Sequence, residues 1–360
     1  DHRDLHSFPT RRSSDLIVHF ILNKQENSPS IHKIQSKFSI KRNIISLSIF
    51  FILFSSYTLK AQLQIKELEY GSELYNQSAQ LLDDKLLKEA EIRIIRSIEQ
   101  FPNNPSYGNS ELLRAKIDLI NGNFEVSKNI LQTFIEKYPN SPLQPNALMQ
   151  IAFIYLEQGN FSLAQKYFEK TLERIKFEKQ YRTDSLYLDN LATESLYWMG
   201  VAIFQQGKYF ESLPVFKELI TFYPNSKLAD DAYFSIGLIF EKNKDYDSAI
   251  VNYNKIINNY EYSNSSLAAI IRSSNNYILL RKASRALFDL ETADLVISHL
   301  YEKDSIGVLY EEQTYLQYPK DEINYLRGEA YNIVGNYSQA ANIFRAFLET
   351  YSDSKLRTYF

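Results

Sequence analysis

The sequence predicts an all-α fold, a right-handed superhelical solenoid of antiparallel helix pairs, because one pattern returns at a step of 37 residues. Gly200 and Gly237 are separated by this step. The aromatic–proline pairs Phe101-Pro102 and Tyr138-Pro139 are separated by the same step. A period of this length indicates stacked supersecondary units, since one unit cannot bury its apolar face alone.

The copy at residues 193–223 shows the elements of one unit. Apolar residues at helical spacing predict its first helix: Leu196, Met199 and Ile203. Gly207 predicts the end of that helix, because glycine readily takes a positive φ. Tyr223-Pro224 predicts the end of the second helix, since the residue before proline avoids the helical region. Inside the first helix, Gly200 predicts the close passage of another backbone.

These residues resemble the tetratricopeptide repeat family over roughly 65–260 and 321–360. The family's pattern of Leu-Gly, Tyr, Gly-x-Tyr, Ala, Phe and Pro is matched by Met199-Gly200, Ile203, Gly207-x-Tyr209, Ser212, Phe216 and Pro224. The positions of the family's signature Trp hold Leu148, Leu196 and Tyr233. The long step and the Tyr-Pro-x-Ser links resemble periplasmic members attached to outer-membrane assembly and the Tol-Pal system.

The repeats divide the chain into segments. Residues 62–262 are predicted to hold about five repeats, with an insertion at 174–190 between the third and fourth. Residues 263–320 are helical by pattern but lack the small-residue signature, which predicts one or two degenerate repeats. Residues 321–360 carry a further repeat, and another copy would begin after Tyr351, so we expect this region to be truncated.

The first 61 residues do not follow the repeat. Residues 1–16 resemble the translation of a widely used sequencing adapter, and we interpret them as an assembly artefact; a basic tail is the alternative. Residues 17–61 form a leader in which Lys41-Arg42 precedes the apolar core 44–54. That core is too short for a membrane span, which needs about 20 residues. It predicts a secretory signal peptide cleaved near Ala61-Gln62, with retention as an anchor as the alternative.

The predicted compartment is the cell envelope, either periplasmic or outer-membrane-associated. The chain contains no cysteine, so a lipid anchor at the cleavage site and disulfides are excluded. The lipidated members of the outer-membrane assembly branch differ from this chain in that respect. No membrane span is expected in the mature chain.

The composition predicts a protein without catalysis, cofactor or metal. Of five histidines, only His299 follows the predicted cleavage position, so cysteine or histidine chemistry has almost no residues to use. Neither GxxxxGK[ST] nor GxGxxG occurs. The formal net charge of −3 does not favour nucleic acid as a partner. The acidic pairs Asp83-Asp84 and Asp230-Asp231 are predicted to lie in first turns, where carboxylates favour the helix dipole.

The resemblance implies that inner-face side chains of each first helix contact a peptide. The matching positions are Asn146, Met149, Phe153 and Leu156; Glu194, Tyr197, Val201 and Phe204; Asp231, Phe234, Leu238 and Glu241; and Glu322, Tyr325 and Glu329. Their aromatic and acidic character suits a segment with basic and apolar residues. The alternative for the aromatic residues is that they pack between helices.

We therefore expect an exported, non-enzymatic scaffold that binds protein or peptide segments, envelope or outer-membrane assembly components among them. Two other functions remain open. The chain could be the recognition arm of a larger enzyme whose catalytic domain lies beyond Phe360. It could also be a structural element that associates with itself through its repeats.

Overall fold

The structure is a computed structural model that describes residues 60, 62, 64–260, 264–305 and 320–359. The chain divides into two compact units, Asp1–Glu67 and Leu68–Phe360. In the first unit, the described residues 60, 62 and 64–67 are helical. The adapter-like segment and the predicted leader, apart from residue 60, lie outside the described residues.

The described residues form fourteen α-helices and contain no β-strand. In chain order the helices are α1 (64–83), α2 (Leu87–Gln100), α3 (Tyr107–Ile120), α4 (Phe124–Lys137), α5 (Gln144–Glu157), α6 (Phe161–Glu178), α7 (Ser185–Gln205), α8 (Tyr209–Phe222), α9 (Ala229–Lys242), α10 (Tyr246–Asn259), α11 (Asn264–Leu279), α12 (Ala283–Ser305), α13 (Lys320–Ile333) and α14 (Tyr337–Thr350). A 3₁₀ turn follows at Lys355–Tyr359.

The helices pair along the chain and stack between pairs. From α2 onward each helix contacts the next, and α1 is joined to α2 by the Ser78 hydroxyl, which donates to the Ala90 carbonyl at 2.7 Å. In addition α5 contacts both α3 and α7, and α11 contacts both α9 and α13. The odd-numbered helices are therefore the first helices of stacked hairpins, and the predicted all-α solenoid is confirmed.

The first helix of a hairpin packs its small residue against a ring of the second helix. Three such pairs place an aromatic residue sixteen positions after a glycine: Gly200 with Phe216, Gly237 with Tyr253 and Gly328 with Phe344. A Cβ at these glycines would lie 2.7, 2.4 and 2.3 Å from ring atoms. The expectation that a backbone passes close to Gly200 is therefore wrong, because the neighbour is a side-chain ring.

The turns inside the hairpins use a positive φ. Gly207 has φ 77°, which confirms its predicted role at the end of a first helix. The equivalent turn after α9 has Lys244 at φ 60°, although a side chain makes this region less favourable. Equivalent turns of the repeat therefore share the positive φ even where the residue is not glycine.

The links between hairpins share a serine. In the Tyr-Pro-Asn-Ser links, the hydroxyls of Ser141 and Ser226 accept from the backbone N–H of Leu143 and Leu228, each at 3.2 Å. Such short-range side-chain bonds favour turns over continued helix. The repeated link gives each new first helix the same starting geometry.

The insertion at 174–190 lengthens the helices on both of its sides. Helix α6 has 18 residues and α7 has 21, whereas α5 and α8 have 14 each. Arg182 Nη1 donates to the Pro142 carbonyl at 3.1 Å, and Lys179 Nζ donates to the Tyr223 hydroxyl at 3.1 Å. The insertion therefore lies between two hairpins, α5–α6 and α7–α8, and contacts the link before the first and the link after the second.

The segment predicted to hold degenerate repeats contains a helical hairpin. Helices α11 and α12 contact each other, and their buried apolar residues form one cluster with those of α13. Residues 306–319 of this segment lie outside the described residues. The 37-residue step continues here, contrary to the expectation that small residues are missing: Ser274, Ala286 and Leu290 follow Gly237, Ala249 and Tyr253 by 37 residues, and all three are fully buried.

Candidate functional site: the inner face of the first helices

The sequence-predicted groove residues all lie on first helices. Helix α5 carries Asn146, Met149, Phe153 and Leu156; α7 carries Glu194, Tyr197, Val201 and Phe204; α9 carries Asp231, Phe234, Leu238 and Glu241; α13 carries Glu322, Tyr325 and Glu329. We call the surface formed by these residues the inner face. Helix α11 lies between α9 and α13 in the stack, and it supplied no predicted residue.

The aromatic residues of the inner face pack against neighbouring helices. The Phe153 ring lies 5.4 Å from Phe168 and 5.8 Å from Trp198, with both pairs edge to face. Tyr197 contacts Trp198 at 5.3 Å and Phe216 at 5.9 Å. The other rings pack similarly: Phe204 on Tyr209, Phe234 on Tyr253, and Tyr325 on Phe344 and Phe347. These half-buried rings therefore support the helix interfaces.

The apolar and amide residues divide between core and surface. Met149 is 8% exposed, and its Sδ accepts from the Ser195 hydroxyl at 3.6 Å, so it acts in packing. Leu156 and Val201 are half-buried against the same core, and Leu238 is half-buried on α9. Asn146 Oδ1 accepts from the Tyr187 hydroxyl at 2.7 Å. This bond ties the start of α5 to the lengthened start of α7.

Three inner-face carboxylates have raised pKa values, because burial disfavours their charged form. Burial raises the pKa of Glu194, and Lys116 opposes the shift. Burial also raises the pKa of Glu322, with Arg272 opposing it. Both side chains nevertheless keep part of their surface exposed. In Asp231, burial is again the main cause of the raised pKa, and the hydrogen bond from Ser265 opposes it.

The surroundings of Asp231 contain hydroxyl groups instead of a cation. Ser265 Oγ, on α11, donates to Asp231 Oδ1 at 2.5 Å. Burial and the nearby carboxylate of Asp231 raise the pKa of Tyr197 to about 12. Among the described residues, Asp231 forms no ion pair. A cation from a ligand would therefore find this carboxylate unneutralised.

Two residues of the neighbouring first helix α11 bind the Glu241 carboxylate. Asn276 Nδ2 donates to Glu241 Oε1 at 2.9 Å, and Arg272 Nη1 approaches Oε2 at 3.4 Å. The Glu241 side chain is 13% exposed, whereas that of Arg272 is 49% exposed. The Arg272 side chain of this ion pair therefore stays partly exposed to solvent.

Helix α11 contributes the inner-face residues that sequence reasoning missed. Ser265, Arg272 and Asn276 contact predicted residues of α9. The predicted groove positions did not include them, because the repeat pattern was not extended to this segment, although Ser274 and Ala286 continue its 37-residue step. The helical spacing of Leu267–Leu280 was the available signal, and extending it would have placed Arg272 and Asn276 one turn apart.

The acidic pairs predicted from the sequence lie at different places in their helices. Asp230 and Asp231 lie in the first turn of α9, as predicted. The prediction for Asp83 and Asp84 is wrong, since Asp83 ends α1 and Asp84 lies in the following turn. No cluster of three or more metal-ligand side chains occurs in the described part of the chain. None of the helices described is long and apolar enough to cross a membrane.

The stacked hairpins and their inner face define an α-solenoid with the features of a repeat protein. The model of the family described as "Tetratricopeptide repeat-like domain" matches residues 41–183. A second model, "Tetratricopeptide repeat", matches residues 194–226 and 231–261. The chain belongs to the tetratricopeptide repeat family, whose members are typically non-catalytic scaffolds that bind peptides or proteins.

Solved structures of other repeat proteins resemble the chain at low identity. A tetratricopeptide repeat protein from Parabacteroides merdae is 16% identical over 80% of this chain and 96% of its own, with a TM-score of 0.46. Pseudomonas aeruginosa PilF is 12% identical over 69% and 98%, with a TM-score of 0.48. YrrB, described as having an unusual peptide-binding site, is 14% identical over 56% and 91%, with a TM-score of 0.39. No curated protein matches the chain.

Proposed function

We propose that the inner face binds protein segments that carry apolar and basic side chains, and that the chain works as an exported adaptor without catalysis. The observation that carries this proposal is the excess of carboxylates over cations on the first helices. Glu194, Asp231 and Glu322 have raised pKa values, and Asp231 has only hydroxyl partners. Lys116 and Arg272 only partly offset the burial of Glu194 and Glu322, and no cation offsets that of Asp231. Carboxylates that lose water in this way lower stability, so a binding role explains their presence.

The rings supply the apolar part of the proposed surface. Phe153, Tyr197 and Phe234 are half-buried on three successive first helices. A preformed surface of this kind loses little backbone entropy on binding, which suits an adaptor. Because the same rings also support helix interfaces, replacing all three with alanine would disturb the core as well as the surface. Charge substitutions therefore test the proposal more cleanly.

We expect the combined variant Glu194→Gln, Asp231→Asn and Glu322→Gln to lose affinity for basic segments while gaining stability. Peptides selected on the wild-type protein from a displayed random library should be enriched in Lys or Arg beside apolar residues. Their affinity for the variant, measured by calorimetry, should fall at least about tenfold, since one lost charge-assisted bond contributes about 1.5–3 kcal/mol.

The stability of this variant should depend on pH in a defined direction. The folded protein holds these protons more tightly than the unfolded chain, so wild-type stability falls as the pH rises above the ordinary values of 3.8 for Asp and 4.5 for Glu. The variant lacks these groups, so its melting temperature should exceed that of the wild type at neutral pH. The difference should disappear in acid, below the ordinary values.

A matched control changes exposed carboxylates on second helices. Glu173→Gln, Glu218→Gln and Glu349→Gln lie on α6, α8 and α14, and all three side chains are exposed. This control should bind the selected peptides as the wild type does. Equal loss of affinity in both variants, or selected peptides without basic residues, would contradict the proposed inner-face site.

We also propose that the protein acts in the cell envelope of a bacterium, as its leader suggests. Basic residues before the apolar core 44–54, and Ala61 at its end, support cleavage and export. Expression in a bacterial host should yield a protein in the envelope fraction whose N-terminal sequence begins at Gln62. Recovery of an uncleaved chain in the cytoplasm would count against export. Envelope or outer-membrane assembly components are the partners that we propose for such a scaffold.

A further inference from the structure

Arg272 is a single cation on a stretch of the inner face that is otherwise acidic or neutral. Helices α5 and α7 contain no lysine or arginine, and α9 has only Lys242 at its end. The Nζ atom of Lys242 lies over the ring of Tyr209 on α8, 5.9 Å from its centre. Arg272 is the only lysine or arginine of α11. Among the cations of these four fully described helices, it alone forms an ion pair with an inner-face carboxylate, that of Glu241.

The guanidinium of Arg272 has few partners. Its Nη1 atom approaches Glu241 Oε2 at 3.4 Å, and no other hydrogen bond joins it to a described residue. The Arg272 side chain is 49% exposed, and such exposed ion pairs add little to stability. Asn276 already donates to the other oxygen of Glu241 at 2.9 Å. The fold therefore depends little on Arg272, and most of its charge is available to a molecule bound on the inner face.

Arg272 separates the inner-face carboxylates into two groups. Glu194 on α7 and Asp231 on α9 precede it in the stack, and Glu322 on α13 follows it, because α11 contacts both α9 and α13. The charge of Arg272 opposes the rise in the pKa of Glu322, so these two side chains are neighbours. In Asp231 the hydrogen bond from Ser265, and no cation, opposes the rise. The first group is therefore open to a basic side chain, whereas the space between the groups already holds a positive charge.

We propose that Arg272 is a specificity-determining residue that excludes basic side chains from the part of the inner face between α9 and α13. Like charges brought together at an interface repel each other, and such repulsion is one way in which a binding surface rejects a wrong segment. The basic side chains of a bound segment are thereby directed to Glu194 and Asp231. Apolar or uncharged side chains lie beside Arg272. The inference rests on the proposed function and deepens it by assigning the register of the bound segment.

The first experiment uses tetralysine as the probe, so it does not require a natural partner. We expect the full chain carrying Arg272→Gln to bind tetralysine about tenfold more tightly than the wild type at low salt, as measured by calorimetry. The difference should decrease at high salt, which screens the repulsion. Arg272→Lys keeps the charge and should bind as the wild type does. Arg345→Gln, at an exposed position on α14, removes the same net charge and should also leave the affinity unchanged.

The outcomes separate this inference from the proposed function. Equal gains in Arg272→Gln and Arg345→Gln would assign the effect to net charge and overturn the inference. A loss of affinity in Arg272→Gln, or no binding by any of these proteins, would also overturn it. The combined variant Glu194→Gln, Asp231→Asn and Glu322→Gln tests the proposed function itself. If this variant loses affinity while Arg272→Gln matches the wild type, only the role of Arg272 is wrong.

A lysine scan locates the excluded position along a bound segment. Each residue of a peptide selected on the wild-type protein is replaced in turn by lysine, and the affinities are measured. We expect a run of positions at which the added lysine weakens binding to the wild type but not to Arg272→Gln. Arg272→Lys should restore the wild-type profile. Identical profiles for the wild type and Arg272→Gln would contradict the proposed register.

The position of Arg272 beside Glu322 has a check that needs no ligand. Because the Arg272 charge opposes the effect of burial, Arg272→Gln should raise the pKa of Glu322 further. Arg345→Gln should leave this pKa unchanged. NMR titration of the labelled Glu322 carboxyl carbon measures both. An unchanged pKa of Glu322 in Arg272→Gln would contradict the charge arrangement on which the inference depends.

Discussion

Phe216→Ala should destabilise the protein by about 3–5 kcal/mol, the range measured for aromatic residues removed from cores. The Phe216 ring is 0% exposed and fills the space opposite Gly200. Gly200 has no side chain that could move into the resulting cavity, so little of the lost contact can be recovered. Chemical denaturation followed by circular dichroism measures the change.

Phe222→Ala is the matched control on the same helix. Both residues lie on α8, but Phe222 is 70% exposed. We expect its replacement to change the free energy of unfolding by no more than about 0.5 kcal/mol. Similar losses for the two variants would show that the Phe216 ring does not fill a closely packed site.

Gly237→Val should be the most damaging change at a small residue, with a loss of about 3 kcal/mol or more. A Cβ at Gly237 would lie 2.4 Å from Tyr253 Cε1, and the Tyr253 ring is enclosed on its other sides. The added methyl groups of valine would force the ring out of its position. The gain in helix propensity over glycine is below about 1 kcal/mol and is too small to compensate.

A double-mutant cycle assigns the effect to this contact. In a Tyr253→Ala background, Gly237→Val should cost much less, because the ring it displaces is absent. Ala346→Val, at an exposed position inside α14, should cost only a few tenths of a kcal/mol. Additive losses in the cycle would mean that valine disturbs something other than the ring.

The architecture could be predicted from the sequence because each hairpin packs a small residue of its first helix against a large residue of its second. Gly200 and Phe216 recur as Gly237 and Tyr253, and this spacing alone predicts helices, turns and stacking. Periodicity does not show which group occupies the space above a glycine. The sequence therefore predicted a passing backbone at Gly200, whereas the structure has a ring.

The inner face was only partly predictable, since a periodic pattern does not separate rings that pack from rings that bind. Met149 and Tyr197 occupy equivalent positions of their repeats, 48 residues apart, yet Met149 is buried in the core whereas Tyr197 is only half-buried. Arg272 was not predicted because a serine, Ser274, replaces the glycine of the pattern in α11 and the repeat was not recognised there.

The insertion between α6 and α7 has a consequence for the cooperativity of unfolding. In an ideal solenoid each repeat couples only to its neighbours, so the array can open one unit at a time. Here Arg182 and Lys179 join the links before α5 and after α8, and one continuous core extends from Met149 to Ile239. The hairpins α5–α6 and α7–α8, together with α9, should therefore open as one foldon, with hydrogen-exchange protection highest there and lower toward both ends.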